Sequence, residues 1–198
     1  MNDKQLIWKQ ESSKKVFDCK IFSIRECDCR SPDNEIRKYT IIDAGDWAIT
    51  VPVIQTERGK QFVMVKQWRH GAGGLSLEFP GGVFEEHENP EQAAARELLE
   101  ETGYRAGKIT KLGEMSPNPA IMSNRVHFFL AEELTDTGKL NPDSDEYLDI
   151  VPVDCDEVIK KMGRPPYVHA LMGAALSLYL QKISMTCPLP TYPCGIRL

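Results

Sequence analysis

The segment from Gly82 to Tyr104, GVFEEHENPEQAAARELLEETGY, constrains this chain more than any other. It carries its own start and stop. Asn89 is a favoured N-cap, Pro90 suits the first helical position, and Gln92 at N3 can close a capping box. Gly103 suits the left-handed residue that ends a helix. The spacing predicts a short helix whose apolar side includes Ala94 and Leu98, with Ala95 and Leu99 as further candidates. Glu97, Glu100 and Glu101 are three and four positions apart, so they project from one side of the last turns. Carboxylates repel at that spacing, and the C-terminal end of a helix is already electronegative. Each pair costs only about 0.2–0.5 kcal/mol. Stacked against the dipole, the three imply that something cationic belongs there, and only Arg96 is close in sequence.

A solvated acidic face is the ordinary explanation of a glutamate cluster. This cluster has company at fixed spacing. Gly82 is followed after five residues by Glu88, and seven more lead to Arg96-Glu97-Leu98, Glu100-Glu101 and Gly103-Tyr104. That fills every fixed position of Gly-x5-Glu-x7-Arg-Glu-U-x-Glu-Glu-x-Gly-U, where U is apolar. The departure is Tyr104, where an aliphatic residue is usual. On these residues the chain resembles the Nudix hydrolases, metal-dependent enzymes that cut nucleoside diphosphates linked to another moiety. The chemistry agrees. Clustered carboxylate oxygens select Mg²⁺ or Mn²⁺ over zinc, and Mg²⁺ is commonly shared with substrate phosphates.

The chain has 198 residues, enough for one domain with its own core and a small N-terminal appendage. Its net charge of −5, with no basic stripe, argues against nucleic acid as a bulk partner. A small anionic substrate remains compatible, because a bound metal reverses the local sign. No apolar run is long enough to span a bilayer, and MNDKQLIWKQ does not read as a signal peptide, so a cytoplasmic location without membrane attachment is expected. Neither Cys27-x-Cys29 nor the tail pair Cys187 and Cys194 has metal-ligand spacing, and ordinary thiols are expected.

Strand formers dominate residues 6–55, with Val16–Phe22 and Tyr39–Ile42 as strands and Ser31–Asn34 as a turn. Ala48–Gln55 and Gln61–Lys66 flank Gly59 as a hairpin. Strands are expected over Ile109–Glu114, Arg125–Ala131 and Tyr147–Val153, with a polar loop over 133–146. Asp154 caps a short helix through Met162, and a final helix covers 166–183. The expected organisation is a strand-rich region over 1–46 serving dimerisation, a catalytic domain over 47–183 and a tail over 184–198. Strands interspersed with helices imply an α/β domain.

The flanks are similar to the ADP-ribose pyrophosphatase branch of the Nudix hydrolases. They include Gln67-Trp68-Arg69, Leu77-Glu78-Phe79-Pro80-Gly81-Gly82, the strand-rich first fifty residues, and Pro119 in the loop past the box. The resemblance implies a mixed β-sheet sandwiched between helices (α/β/α), with an N-terminal antiparallel β subdomain. It implies hydrolysis of ADP-ribose to AMP and ribose 5-phosphate. Glu97 and Glu101 would be the main metal ligands, Glu100 would share a cation, and the Gly81 carbonyl would complete a site. Arg96 would orient the carboxylates, with Glu88 doing the same or bridging to Arg96. The base would come from the acidic stretch Asp143–Glu146, Glu146 first; a solvated acidic loop is the alternative. Arg69 would hold phosphates, or be a surface arginine. Glu78 would support the metal site or pair with an arginine. Trp47 would stack on adenine, or belong to the core or a dimer interface. His127, inside an apolar strand, reads as structural. The branch implies a homodimer that exchanges N-terminal strands, which would cover a sheet edge. Two rivals stand beside this reading: a hydrolase of another nucleotide-sugar such as GDP-mannose, and a non-catalytic nucleotide sensor.

Overall fold

The computed structural model describes residues 3–141 and 147–186, in two compact units. The first comprises residues 1–47 and 115–126. Its framework is a three-stranded antiparallel sheet of β1 (Lys9–Asp18), β2 (Phe22–Arg30) and β3 (Ile36–Ala44), in that order. The expected single strand over Val16–Phe22 is instead broken. Cys19 N–H donates to the Phe22 carbonyl at 3.0 Å, closing a turn that has no glycine or proline to announce it. The later segment joins this unit through Ile42, whose N–H donates to Ile121 and whose carbonyl accepts from Ser123.

The second unit comprises residues 48–114 and 127–198. Its strands are β4 (Trp47–Thr56), β5 (Gly59–Arg69), β6 (Gly74–Glu78), β7 (Gly81–Val83), β8 (Tyr104–Met115), β9 (Val126–Asp136) and β10 (Leu148–Asp154). They form one sheet in the order β10-β5-β4-β9-β8, with β6 paired to β5 and β7 to β4. Three helices accompany it: α1 (Pro90–Thr102), α2 (Cys155–Lys161) and α3 (Ala170–Thr186). Neighbouring β8 and β9 both outrun their expected lengths, with Lys108 and Glu132 paired between them at 2.9 Å. Asp154 caps α2 as the sequence implies. The last helix starts later than expected, at Ala170, and its start is tied by Leu171 N–H donating to His169 Nδ1 at 3.2 Å. It also runs through residues 184–186, which the sequence assigns to the tail.

Strand alternation puts α1 and α3 on opposite faces of this sheet. Phe62 pairs with Val53 across β4 and β5. It therefore shares a face with the odd-numbered residues of β4, and its ring meets Tyr179 of α3 edge-on at 5.1 Å. Ala48 and Thr50 point the other way. Ala48 packs with Ala93, Ala94 and Phe129, and the Thr50 hydroxyl donates to the Ala94 carbonyl at 3.2 Å. This is the expected α/β/α arrangement. Among the described residues, no helix is long and apolar enough to cross a membrane, and Cys19, Cys27, Cys29 and Cys155 are free thiols. Cys187 and Cys194 lie outside the described residues.

Candidate active site

Helix α1 forms as its termini dictate. The Asn89 side chain accepts from the N–H groups of Glu91 and Gln92, each at 3.0 Å, and Gln92 Oε1 accepts from Asn89 N–H at 2.9 Å. Gly103 adopts φ 70° and donates to Leu99 O. The buried side carries Ala93, Ala94 and Leu98, as well as Glu97 and Glu101. Ala93 takes the place the sequence gave to Ala95, which is exposed. Two of the three carboxylates thus lie on the packing face. Glu101 is 2 % exposed and Glu97 9 %, so the acidic cluster is no solvated stripe.

Two glycines lie beside them, Gly81 packed on the β4 backbone and Gly82 on Glu97. Gly81 N–H donates to Glu101 Oε2 at 2.9 Å. A Cβ at Gly81 would come within 2.9 Å of Ile49 Cα, and one at Gly82 within 2.7 Å of Glu97 Cδ. A side chain at Gly82 would displace the Glu97 carboxylate, and one at Gly81 would meet the backbone of Ala48 and Ile49.

Arg96 organises the acids. Its Nε and Nη2 donate to the two oxygens of Glu88 at 2.8 and 3.0 Å, and Nη2 also donates to Val83 O at 3.0 Å. Nη1 donates to Glu97 Oε1 and Glu100 Oε2, both at 2.9 Å. Glu88 also accepts from Glu85 N–H. The hydrogen bonds from Arg96 hold the Glu88 carboxyl below the usual range, and Glu88, then Glu100 and Glu97, raise the Arg96 pKa further. The Arg96 guanidinium is thus bonded to protein oxygens through Nε, Nη1 and Nη2. Glu88 bridges to it, and glutamates that would repel one another converge on one cation.

Across the pocket, Arg69 donates to Glu78 from Nε and from Nη2, the latter at 2.6 Å. Glu78 is 1 % exposed, while the Arg69 side chain keeps 41 % of its surface accessible. Burial pushes the Glu78 carboxyl up. Arg69, assisted by Ser76 and the nearby His169, outweighs this and holds it below the usual range. Glu78 pairs with an arginine, Arg69. It does not line the pocket and reaches it through Arg69.

The pocket has a volume of about 430 Å³. Gln67, Arg69, Gly81, Gly82, Arg96, Glu97, Glu100 and Glu101 all contribute to its wall. Val83, Phe84, Glu85 and Gln67 were not anticipated. Gln67 was within reach of the sequence, since period-two alternation from Arg69 on β5 points to it. Trp47 does not line this pocket. It belongs to the first unit, where its N–H donates to Arg125 O at 2.9 Å. His127 is buried on β9, 3.3 Å from Glu114, with its ring against Phe84. Glu146 lies outside the described residues.

A model of the NUDIX domain matches residues 46–171. The chain belongs to the Nudix family. It is 34% identical over 179 residues to the ADP-ribose pyrophosphatase of Bacillus subtilis, covering 90% of this chain and 95% of that protein. It is also 27% identical to the methanol dehydrogenase activator of Bacillus methanolicus, over 77% of this chain and 81% of the relative. Among solved structures, an ADP compounds hydrolase superposes with a TM-score of 0.79 at 20% identity, covering 92% of this chain and 97% of the other. That likeness shows the Nudix fold.

Nudix hydrolases generally need a divalent metal. Among the described residues, no three His, Cys, Asp or Glu side chains are gathered into a ready cation cage. Arg96 holds Glu97 and Glu100 by hydrogen bonds, and Gly81 N–H holds Glu101. The donor set still fits a hard cation. It consists of carboxylate oxygens, two of them buried, beside two glycines that leave the backbone open.

Proposed function

We propose that this protein hydrolyses the pyrophosphate bond of ADP-ribose, giving AMP and ribose 5-phosphate, with Mg²⁺ or Mn²⁺ as cofactor. The observation that carries the reaction class is one pocket whose wall brings together Glu97, Glu100, Glu101, Arg69, Gly81 and Gly82. The likeness to the Bacillus subtilis enzyme over 90% of the chain supports ADP-ribose as the substrate.

Glu97 and Glu101, with Glu100 and the Gly81 carbonyl, would hold the cation. When bound, the metal neutralises phosphate charge and makes water a better nucleophile. Arg96 fixes the directions of Glu97 and Glu100, and Glu88 anchors Arg96. Arg69, on the pocket wall, binds a substrate phosphate. The buried pair holds the Arg69 guanidinium in place before substrate arrives, which reduces the ordering cost of binding. Glu146 serves as the general base. In its support, Leu148 lies two positions further along the chain and pairs with Gln67 on the pocket-lining strand. The molecule works as a homodimer through its N-terminal strands, and its location is cytoplasmic. Neither nucleic acid nor membrane is a partner.

The test is a Mg²⁺-dependent panel of ADP-ribose, GDP-mannose, ADP-glucose and NADH, compared by kcat/KM for the wild type and Glu101→Gln. ADP-ribose should lead with AMP released, and Glu101→Gln should lose at least about 100-fold in kcat/KM while staying folded. Preference for GDP-mannose would move the substrate. Nucleotide binding without turnover of any compound would make the protein a sensor. Near-normal turnover by Glu101→Gln would remove Glu101 from the ligand set.

A further inference from the structure

Gln67 lies on β5 two residues before Arg69, so both side chains point to the face that lines the pocket. Its cross-strand neighbours are Ser76 on β6 and Leu148 on β10. The side chain is half-buried and makes no hydrogen bond to any described residue. An amide carries two donor hydrogens and an acceptor oxygen, and excluding water from it without replacement is costly. The rest of the polar wall is charged. Arg69 suits phosphate oxygens, which only accept, and the glutamates suit a cation. A neutral group that both donates and accepts matches a hydroxyl, which does the same.

We infer that Gln67 is a substrate-contact residue that reads a ribose hydroxyl of the substrate. The inference rests on the pocket being the pyrophosphate-cleaving site. Such a contact makes the residue a selector, because a site built to bond a hydroxyl rejects analogues that lack it far more strongly than an apolar wall can.

The hydroxyl belongs either to the sugar beyond the pyrophosphate or to the nucleoside. Steady-state kinetics with Mg²⁺ on three substrates separates them: ADP-ribose, its 2′,3′-dideoxyadenosine analogue, and the β-methyl ester of ADP, which lacks the distal sugar. The variants are Gln67→Leu and Gln67→Glu, the second keeping shape and volume in case the first misfolds. Both should raise KM for ADP-ribose at least about tenfold, with kcat within about twofold. A penalty that vanishes on the methyl ester but persists on the dideoxy analogue supports the inference and assigns the distal sugar. The reverse pattern supports it and assigns the nucleoside. Equal penalties on all three substrates would put Gln67 on phosphate and overturn the hydroxyl assignment. An unchanged KM for ADP-ribose in both variants would overturn the contact itself. Wild type that cuts none of the three overturns the proposed function and this inference with it, a result visible before any variant is made.

Discussion

The two sheets of this molecule are built on opposite terms. Every residue of β1 is exposed, and Leu6, Ile7, Val16, Phe17 and Ile21 put large apolar side chains into solvent. In β5, by contrast, Phe62, Val63, Met64 and Val65 are all fully buried, with a helix on each face of the sheet. Ion pairs divide less cleanly, since Arg25–Asp43 in the first unit is half-buried and Lys161–Glu157 in the second is exposed. Lys15–Asp18 and Lys38–Asp28 in the first unit are solvent-exposed, and pairs of that kind contribute about 0–1 kcal/mol. Arg69–Glu78 in the second is buried on its acidic side. The difference teaches that the second unit holds a buried core and the candidate pocket, while the first leaves large apolar side chains at its surface.

Three substitutions would sharpen or break that contrast. Leu98→Ala empties a fully buried site beneath α1 and should destabilise the protein by about 2–5 kcal/mol. Chemical denaturation checks this, and a loss below about 1 kcal/mol would mean that the α1 interface is not a tight core. Phe17→Ser should leave that unfolding transition almost unmoved at high protein concentration. It should weaken self-association about tenfold, if covering Phe17 is what the exposed sheet is for. Sedimentation across a dilution series reads this directly, and a dimer constant identical to wild type would assign the exposed face to something other than a second copy. Asn89→Ala removes one half of the capping box and should cost about 1 kcal/mol with kcat/KM little changed. A large loss of activity would show that the far end of α1 also positions the glutamates.

The sequence spoke most clearly where local rules are strict. Asn89, Pro90, Gln92 and Gly103 fixed α1 to the residue, because caps are satisfied within a few positions of themselves. The box spacing led to Arg96 with its acids, because helical periodicity is short-range too. Tertiary pairing was the silent part. Nothing near Glu78 says that its carboxylate will be buried against Arg69; the β5–β6 register pairs Glu78 with Val65, and the long Arg69 side chain closes the contact. Ala95 looked as apolar as Ala93, and only packing on Ala48 and Phe129 decides between them. The turn at Cys19 uses no turn-specific residue, so a strand pattern ran straight through it. Gln67 was legible as part of a motif but not as a pocket wall until Arg69 was seen to share its face.

Helix α1 sets Glu97 and Glu101 on the same face as Ala93, Ala94 and Leu98. The residues that would touch a metal and those that hold the helix down are therefore neighbours on one surface. Burying carboxylates costs free energy that an apolar residue in the same place would not. A variant selected only for heat resistance would be drawn toward replacing them, and would become a better-folded protein with nothing left to catalyse.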